Sequence, residues 1–429
     1  MLAQKNYKSA ILVSIGIQYI SIALQRVNTD KYMQTLYYRP IDNFRESWWR
    51  HRKGILEAIF SQAKDYRLQI IYTRIDRNEQ QRPLFRDYHF QTGGYFYPAS
   101  TVKLPAAILA MEKIRDLDIN NLNIHTPLYI NSIPGVNTGV QQDHSAASGQ
   151  ASIAHYIKKI FLISDNDAYN RLYEFIGQEA FNRRLWENGY RDVQIRHRVG
   201  LPLHEEANRY SNGMQFKHQD QVIYEQPDTC SQLAFAARED RIGKAWYDHK
   251  GVLQEGPMDF SIRNRLPLAS LHEIMRSIFF PEAVTNEQRY RLNESDYDFL
   301  YRCMSQYPAE STDPVYDPQQ YHQSYVKFLL YGGNKQANIP SDIRIFNKPG
   351  WAYGFLTDTA YIADFRNNIE FLLSATVYVN KDGILGDDHH SFENIGKPFL
   401  QALGAMIYEM ELERPRKVIP DLSRFQPKV

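Results

Sequence analysis

Apolar residues recur at helical spacing through "NFRESWWRHRKGILEAIFSQAKD", Asn43 to Asp65, where Phe44, Trp48, Ile55, Ile59 and Ala63 share a broad face. The period then changes. "RLQIIYTRIDR" is rich in β-branched residues, the polar "NEQQRP" follows, and "LFRDYHFQ" resumes, which predicts two strands joined as a hairpin. "TVKLPAAILAMEKIRDL" reads as an apolar helix. From about Asn123 to Arg291 the pattern is mostly helical with irregular insertions; the helix candidates are "SIAHYIKKIFL", "AYNRLYEFIGQEAFNRRLWEN" and "LASLHEIMRSIFF". "NRYSNGMQFKHQDQVIYEQ" alternates around an Asn-Gly, the signature of an inserted hairpin. Strand patterning returns in "SDIRIFNKPG", "AYGFLTDTAYIADF" and "NIEFLLSATVYV", and "FENIGKPFLQALGAMIYEMEL" closes the chain as a helix.

Strands at both ends of such an order join most simply into one antiparallel sheet flanked by helices, with the middle forming an all-helical lobe. The fold class expected is therefore α/β in the α+β sense. The sheet lobe is expected from residues 43–99 and 341–412 and the helical lobe, with its insertions, from 100–340, so that one domain spans 43–412. A cleft between sheet and lobe is the natural ligand site.

Composition narrows the choices. The 429 residues, 43% of them hydrophobic, suffice for a large core, and a net charge of +1 with no basic block argues against nucleic acid as a partner. The two cysteines, Cys230 and Cys303, belong to no CxxC pair, which argues against a zinc ribbon or redox motif and leaves one disulfide open. Lys5 and Lys8 precede an apolar stretch, Ala10 to Ile22, too short and polar to span a membrane. With Ser21-Ile22-Ala23 behind it, residues 1–23 read as a secretory signal or anchor, so the expected location is periplasmic or secreted. An amphipathic first helix is the competing reading.

Three short motifs carry chemistry. In "PASTVKLP", Ser100 stands at a helix start with Lys103 one turn on, where an amine can reach the hydroxyl. Serine is a poor nucleophile until a base takes its proton, and helix N-terminal N–H groups favour developing negative charge. A lysine serves as that base only with a lowered pKa. Ser61 and Lys64 repeat the spacing late in a helix and read as surface. In "LISDNDAYN", Ser164-Asp165-Asn166 falls between two helices, where such residues also serve as caps. In "IFNKPGWAYG", Lys348-Pro349-Gly350 ends a strand; the competing Lys381-Asp382-Gly383 sits in a loop. The "GDDHHSFE" stretch reads as a polar loop, and neither metal nor cofactor is expected.

SxxK, SDN and KxG in this order resemble the class A β-lactamases and related penicillin-binding peptidases, over roughly Asn43 to Leu412. The resemblance implies a β-lactamase/transpeptidase-like fold and an active-site serine hydrolase acting on an amide, either a small-molecule β-lactam or a peptidoglycan peptide; no obligate protein partner is evident in the sequence. It implies Ser100 as the acylated nucleophile, Lys103 as its proton acceptor and Ser164 as proton relay. Asn166 and Lys348 are the expected substrate contacts, and the Ser100 and Trp351 N–H groups, beside Gly350, the expected oxyanion hole. Two departures stand out. Pro349 replaces a hydroxyl residue that helps hold the substrate carboxylate. Glu205 and Glu206, the nearest candidates for a deacylating base, do not match the family's spacing to Asn208. An alternative is a penicillin- or peptide-binding envelope protein with little turnover.

Overall fold

A computed structural model describes residues 54–427. The stretch Ala10 to Ile22, and Phe44 and Trp48 of the first helical pattern, lie outside the described residues. The part of that pattern within them forms α1, Ile55–Ser61, with Ile59 buried. Strands β1 (Gln69–Arg77) and β2 (Pro83–Gln91) form the expected antiparallel hairpin, Gln69 opposite Gln91 and Arg77 opposite Pro83. A 3₁₀ turn, Ala99–Val102, leads into α2, Lys103–Leu117. Every residue from Lys103 to Glu112 is buried, so this helix is the core's axis and carries no polar face there.

The short strand β3 (Leu128–Ile130) precedes α3 (Ile153–Leu162), whose N-cap Ser152 accepts from His155 N. The pattern read as a single helix from Ala168 is two, α4 (Asn166–Ile176) and α5 (Gln178–Glu187). Gly177, at φ 84°, ends one and starts the other, a conformation that favours glycine. The inserted hairpin exists as β4 (Met214–His218) and β5 (Gln221–Gln226), but Asn212-Gly213 is not its tip. The turn is Gln219-Asp220, both left-handed, while the buried Asn212 amide donates to Asn131 O and Thr138 O. The middle lobe is thus less helical than its pattern suggests: this hairpin pairs with β3, and several two- and three-residue strands occupy the stretch to Asp259.

Helix α6 (Leu268–Phe279) lies where expected, and α7 (Glu294–Ser305) was not singled out by its apolar pattern; Asn293 and Asp296 start it with a reciprocal capping box. The chain returns to the sheet as β6 (Ile343–Asn347), β7 (Gly350–Ala352), β8 (Phe355–Asp364) and β9 (Ile369–Tyr378), then ends in α8 (Lys397–Glu413). The sheet order is β6-β8-β9-β1-β2, all antiparallel, with β7 also on β8. N- and C-terminal strands therefore share one sheet, and α6 and α8 both pack on β9, which is buried through Val377. Cys303 is buried in α7 and Cys230 is exposed; both are free thiols. No helix among the described residues is long and apolar enough to cross a membrane.

Candidate active site

The site begins with backbone strain. Ala99 takes φ 45° and Ser164 φ 61°, the left-handed region that non-glycine residues avoid. Each sits one residue from, or at, a motif serine. The turn at Ala99 is held by Thr101, whose N–H and hydroxyl both donate to Pro98 O, at 3.0 and 2.7 Å. Ser100 is half-buried on this turn, and its hydroxyl makes no hydrogen bond among the described residues. The turn at Ser164 is fixed by Asp165, which caps α4 by accepting from Ala168 N at 2.8 Å.

Strand β7 crosses directly over the first turn. A Cβ on Gly350 would lie 2.6 Å from Pro98 O and 2.8 Å from the amide nitrogens of Ser100 and Thr101, so only glycine permits this approach. Lys348 N donates to Thr359 O at 3.1 Å, and Gly350 stands opposite Thr357. By the alternation of an antiparallel ladder, the N–H of Trp351 and the ring nitrogen of Pro349 then face away from β8, toward the open edge. That is why a proline is tolerated between β6 and β7. It also turns the Trp351 N–H to the side where Ser100 lies.

The lysines do something the spacing alone did not reveal. Lys103, fully buried, donates to Asn166 Oδ1 at 2.7 Å and to both the carbonyl and the hydroxyl of Ser164, the latter at 3.3 Å. It makes no hydrogen bond to Ser100, contrary to the expected direct reach. Lys348, also fully buried, donates to the same Ser164 Oγ at 2.9 Å and to Pro349 O. Ser164 Oγ thus accepts from two amines and keeps its own proton to donate elsewhere. Burial lowers the Lys103 amine to about 7, against an opposing pull from Asp165. Burial, and then the neighbouring Lys103, hold Lys348 well below the ordinary lysine range. Two buried amines on one oxygen disfavour a positive charge on both at once.

Behind Lys348 lies a buried cluster that the motifs gave no hint of. Asp358 accepts from Asn347 Nδ2 at 2.9 Å and from the amides of Phe328 and Leu329, and burial raises its carboxyl to about 6. Lys327, fully buried, donates to Asn347 Oδ1 at 2.9 Å, and burial lowers its amine to about 7. The available signal was a charged residue inside each of two apolar runs, "SYVKFLLY" and "FLTDTAYI".

The two glutamates sit apart from this convergence. Glu205 is paired with Arg196, and its side chain is 36% exposed. Glu206 is exposed. Their loop, residues 193–208, is tied to α4 instead. The Asn170 amide bonds both the N–H and the carbonyl of Val199, and buried Arg198 pairs with Glu174 at 2.8 Å. Gly200 comes so close to Asn166 that a Cβ there would lie 2.7 Å from its Nδ2.

An antiparallel sheet joined from both chain ends, a serine turn under an edge strand, and two lysines meeting at a loop serine make up a β-lactamase/transpeptidase-like fold. Residues 52–228, which hold Ser100, Lys103, Ser164 and Asn166, match the model of the Beta-lactamase enzyme family. The fold can also be laid over solved structures. A β-lactamase from Xanthomonas campestris pv. campestris matches at 14% identity and TM-score 0.46, with 85% of this chain and 98% of that one covered. A class A β-lactamase of the last common ancestor of Gram-negative bacteria matches at 12% and 0.46, with 83% and 100% covered. The β-lactamase from Streptomyces albus G matches at 13% and 0.45, with 84% and 98% covered. No curated protein matches the chain.

Proposed function

We propose that this protein acylates itself at Ser100 with an amide, a β-lactam or a cell-wall peptide, and that the acyl-enzyme turns over slowly. The observation that carries this reading is the meeting of Lys103 and Lys348 on Ser164 Oγ, next to a serine turn overlain by Gly350. Ser100 Oγ attacks the substrate carbonyl carbon, and its proton passes to the neutral member of the lysine pair. The oxyanion lies between the N–H groups of Ser100 and Trp351. As the C–N bond breaks, Ser164 gives its proton to the departing nitrogen and recovers one from the lysines. Asn166, held by Lys103, is the substrate-orienting amide.

Hydrolysis of the ester needs a base for water. Glu205 is engaged by arginine and Glu206 faces solvent, so neither serves. A missing general base costs about two to four decades of rate. The expected result with a chromogenic cephalosporin in stopped flow is a burst of one equivalent followed by a slow steady state, and no burst in Ser100→Ala. Fast turnover without a burst would remove the slow-turnover half of the reading, and covalent label on Ser100→Ala would remove the whole. On this reading the charged, apolar N-terminal pattern serves export, where such amides are found; cell fractionation of a tagged chain tests it.

A further inference from the structure

A second polar feature lies at the far end of β7. Tyr97, three residues before Ser100, packs on Tyr353 at 5.3 Å between ring centres, and both pack on Phe260, at 5.7 and 5.4 Å. Tyr353 follows the last residue of β7, so this aromatic trio closes that end of the strand. Phe260 belongs to a turn closed by Arg263 N donating to Phe260 O at 2.9 Å. The turn is stitched down: Asn264 bonds the amides of Arg196 and His197 and the carbonyl of His197, and its own N–H meets His197 Nε2.

The surrounding arginines are paired. Arg196 and Arg209 share Glu205, Arg238 holds Asp240, and Arg265 holds Asp192. Arg263 is different. Its guanidinium has no acid and no hydrogen bond among the described residues, whereas Arg196 and Arg238, whose Nε atoms are likewise buried without a partner, are held through their other nitrogens. Its charge is felt at Tyr97 and at His197, where burial is the larger influence. A half-buried guanidinium with no acid, carried on a stitched-down turn, is an anion site in waiting, because its planar fork matches a carboxylate.

The direction of the strand says which part of a substrate it meets. In the proposed reaction the leaving nitrogen is protonated from Ser164, at the Lys348 end of the edge. The acyl part therefore runs the other way, past Trp351 toward Tyr353. We infer that Arg263 is a specificity-determining residue that binds a carboxylate on the acyl portion of the substrate, so that the favoured substrates are amides of acidic acyl groups. The inference rests on the serine-hydrolase reading for its geometry.

The test uses two cephalosporins with the same nucleus, one with a glutaryl side chain and one with its side-chain methyl ester. The wild-type protein is expected to be acylated by the free acid about tenfold faster than by the ester, the scale of one charged hydrogen bond. In Arg263→Gln that ratio falls to about one, through loss of the acid's advantage alone. Arg263→Lys keeps part of it. An unchanged ratio in Arg263→Gln, or no preference in the wild type, overturns the inference. Equilibrium binding of both compounds to Ser100→Ala reads the anion site without chemistry. If neither compound labels wild-type Ser100, the hydrolase reading falls. The carboxylate site then stands only if the acid still binds Ser100→Ala more tightly than the ester and loses that margin when Arg263→Gln is added; equal binding overturns it.

Discussion

Two walls meet at Asn166 and use charge in opposite ways. On one, Lys103 and Lys348 are fully buried, carry no acid partner in hydrogen-bond contact, and meet at a single hydroxyl. On the other, the loop 193–208, Arg196 holds Glu205 and Arg198 holds Glu174. Groups left short of a counter-charge have perturbed proton affinities and are available for proton transfer; groups in satisfied pairs hold shape. On the proposed reading, the first wall serves to make the acyl-enzyme, and the second is scaffolding that offers no base for water.

The strongest way to break this contrast is Lys103→Arg. Arginine keeps the charge but cannot give up its proton, so on the proposed reading acylation falls by about two to four decades. Rates measured with a fluorescent penicillin, beside near-ultraviolet dichroism to establish folding, decide the matter. Acylation at the normal rate would make Lys103 an electrostatic or structural residue.

The pH profile sharpens the same point with a smaller effect. With the Lys103 amine at about 7, below the ordinary 10.5, the reactive neutral form is lost as pH falls. The acylation rate should therefore drop about tenfold for each pH unit below 7 and level off above it. Stability follows the same sign. Between pH 7 and 10.5 the unfolded lysine binds a proton that the folded one does not, so stability rises with pH across that window. A flat acylation profile from pH 5 to 8 would count against a lysine base.

Much of this arrangement could be read from the chain, and the failures have physical causes. The sheet was legible because β8 and β9 are long apolar runs, whereas the direct reach from Lys103 to Ser100 that their spacing led us to expect is not made. What local pattern cannot carry is partner choice across the fold. Lys103 turns to Ser164, 61 residues away, because the left-handed backbone there presents both its carbonyl and its hydroxyl. The Asn212-Gly213 signal misled because Asn212 is needed to bond β3 and the Thr138 loop, leaving the turn to Gln219-Asp220. Arg263 was invisible because its distinction lies in what its neighbours are paired with.

Pro349→Thr tests the first wall at its edge. Residue 349 faces away from β8, and proline offers neither N–H nor hydroxyl there. A threonine restores a donor beside Lys348. Carboxylate-bearing β-lactams should then bind about tenfold more tightly, at the low end of the roughly 1.5–3 kcal/mol of a charged hydrogen bond. Esters of the same compounds should be unaffected. Equal tightening of acid and ester would mean that the substitution acts by reshaping the strand.

Glu205→Gln carries the smallest expected effect and tests the second wall. The Glu205 side chain is 36% exposed and its Arg196 partner 10%, so the pair is screened on one side and its loss should cost no more than about 1 kcal/mol of stability. Arg196 would still touch Gln194 and lie over the Phe235 ring, at 4.5 Å from its centre, so the loop keeps its seat. Asn208 and Asn170, which hold the same loop, are untouched by the change. Steady-state turnover of a chromogenic cephalosporin should therefore stay within about twofold of wild type, because a residue outside the proton path lowers no barrier. A fall of tenfold or more at unchanged stability would show that Glu205 leaves Arg196 during the reaction and activates water. The two walls would then divide the two steps of one hydrolysis, and the slow acyl-enzyme proposed above would be a fast one.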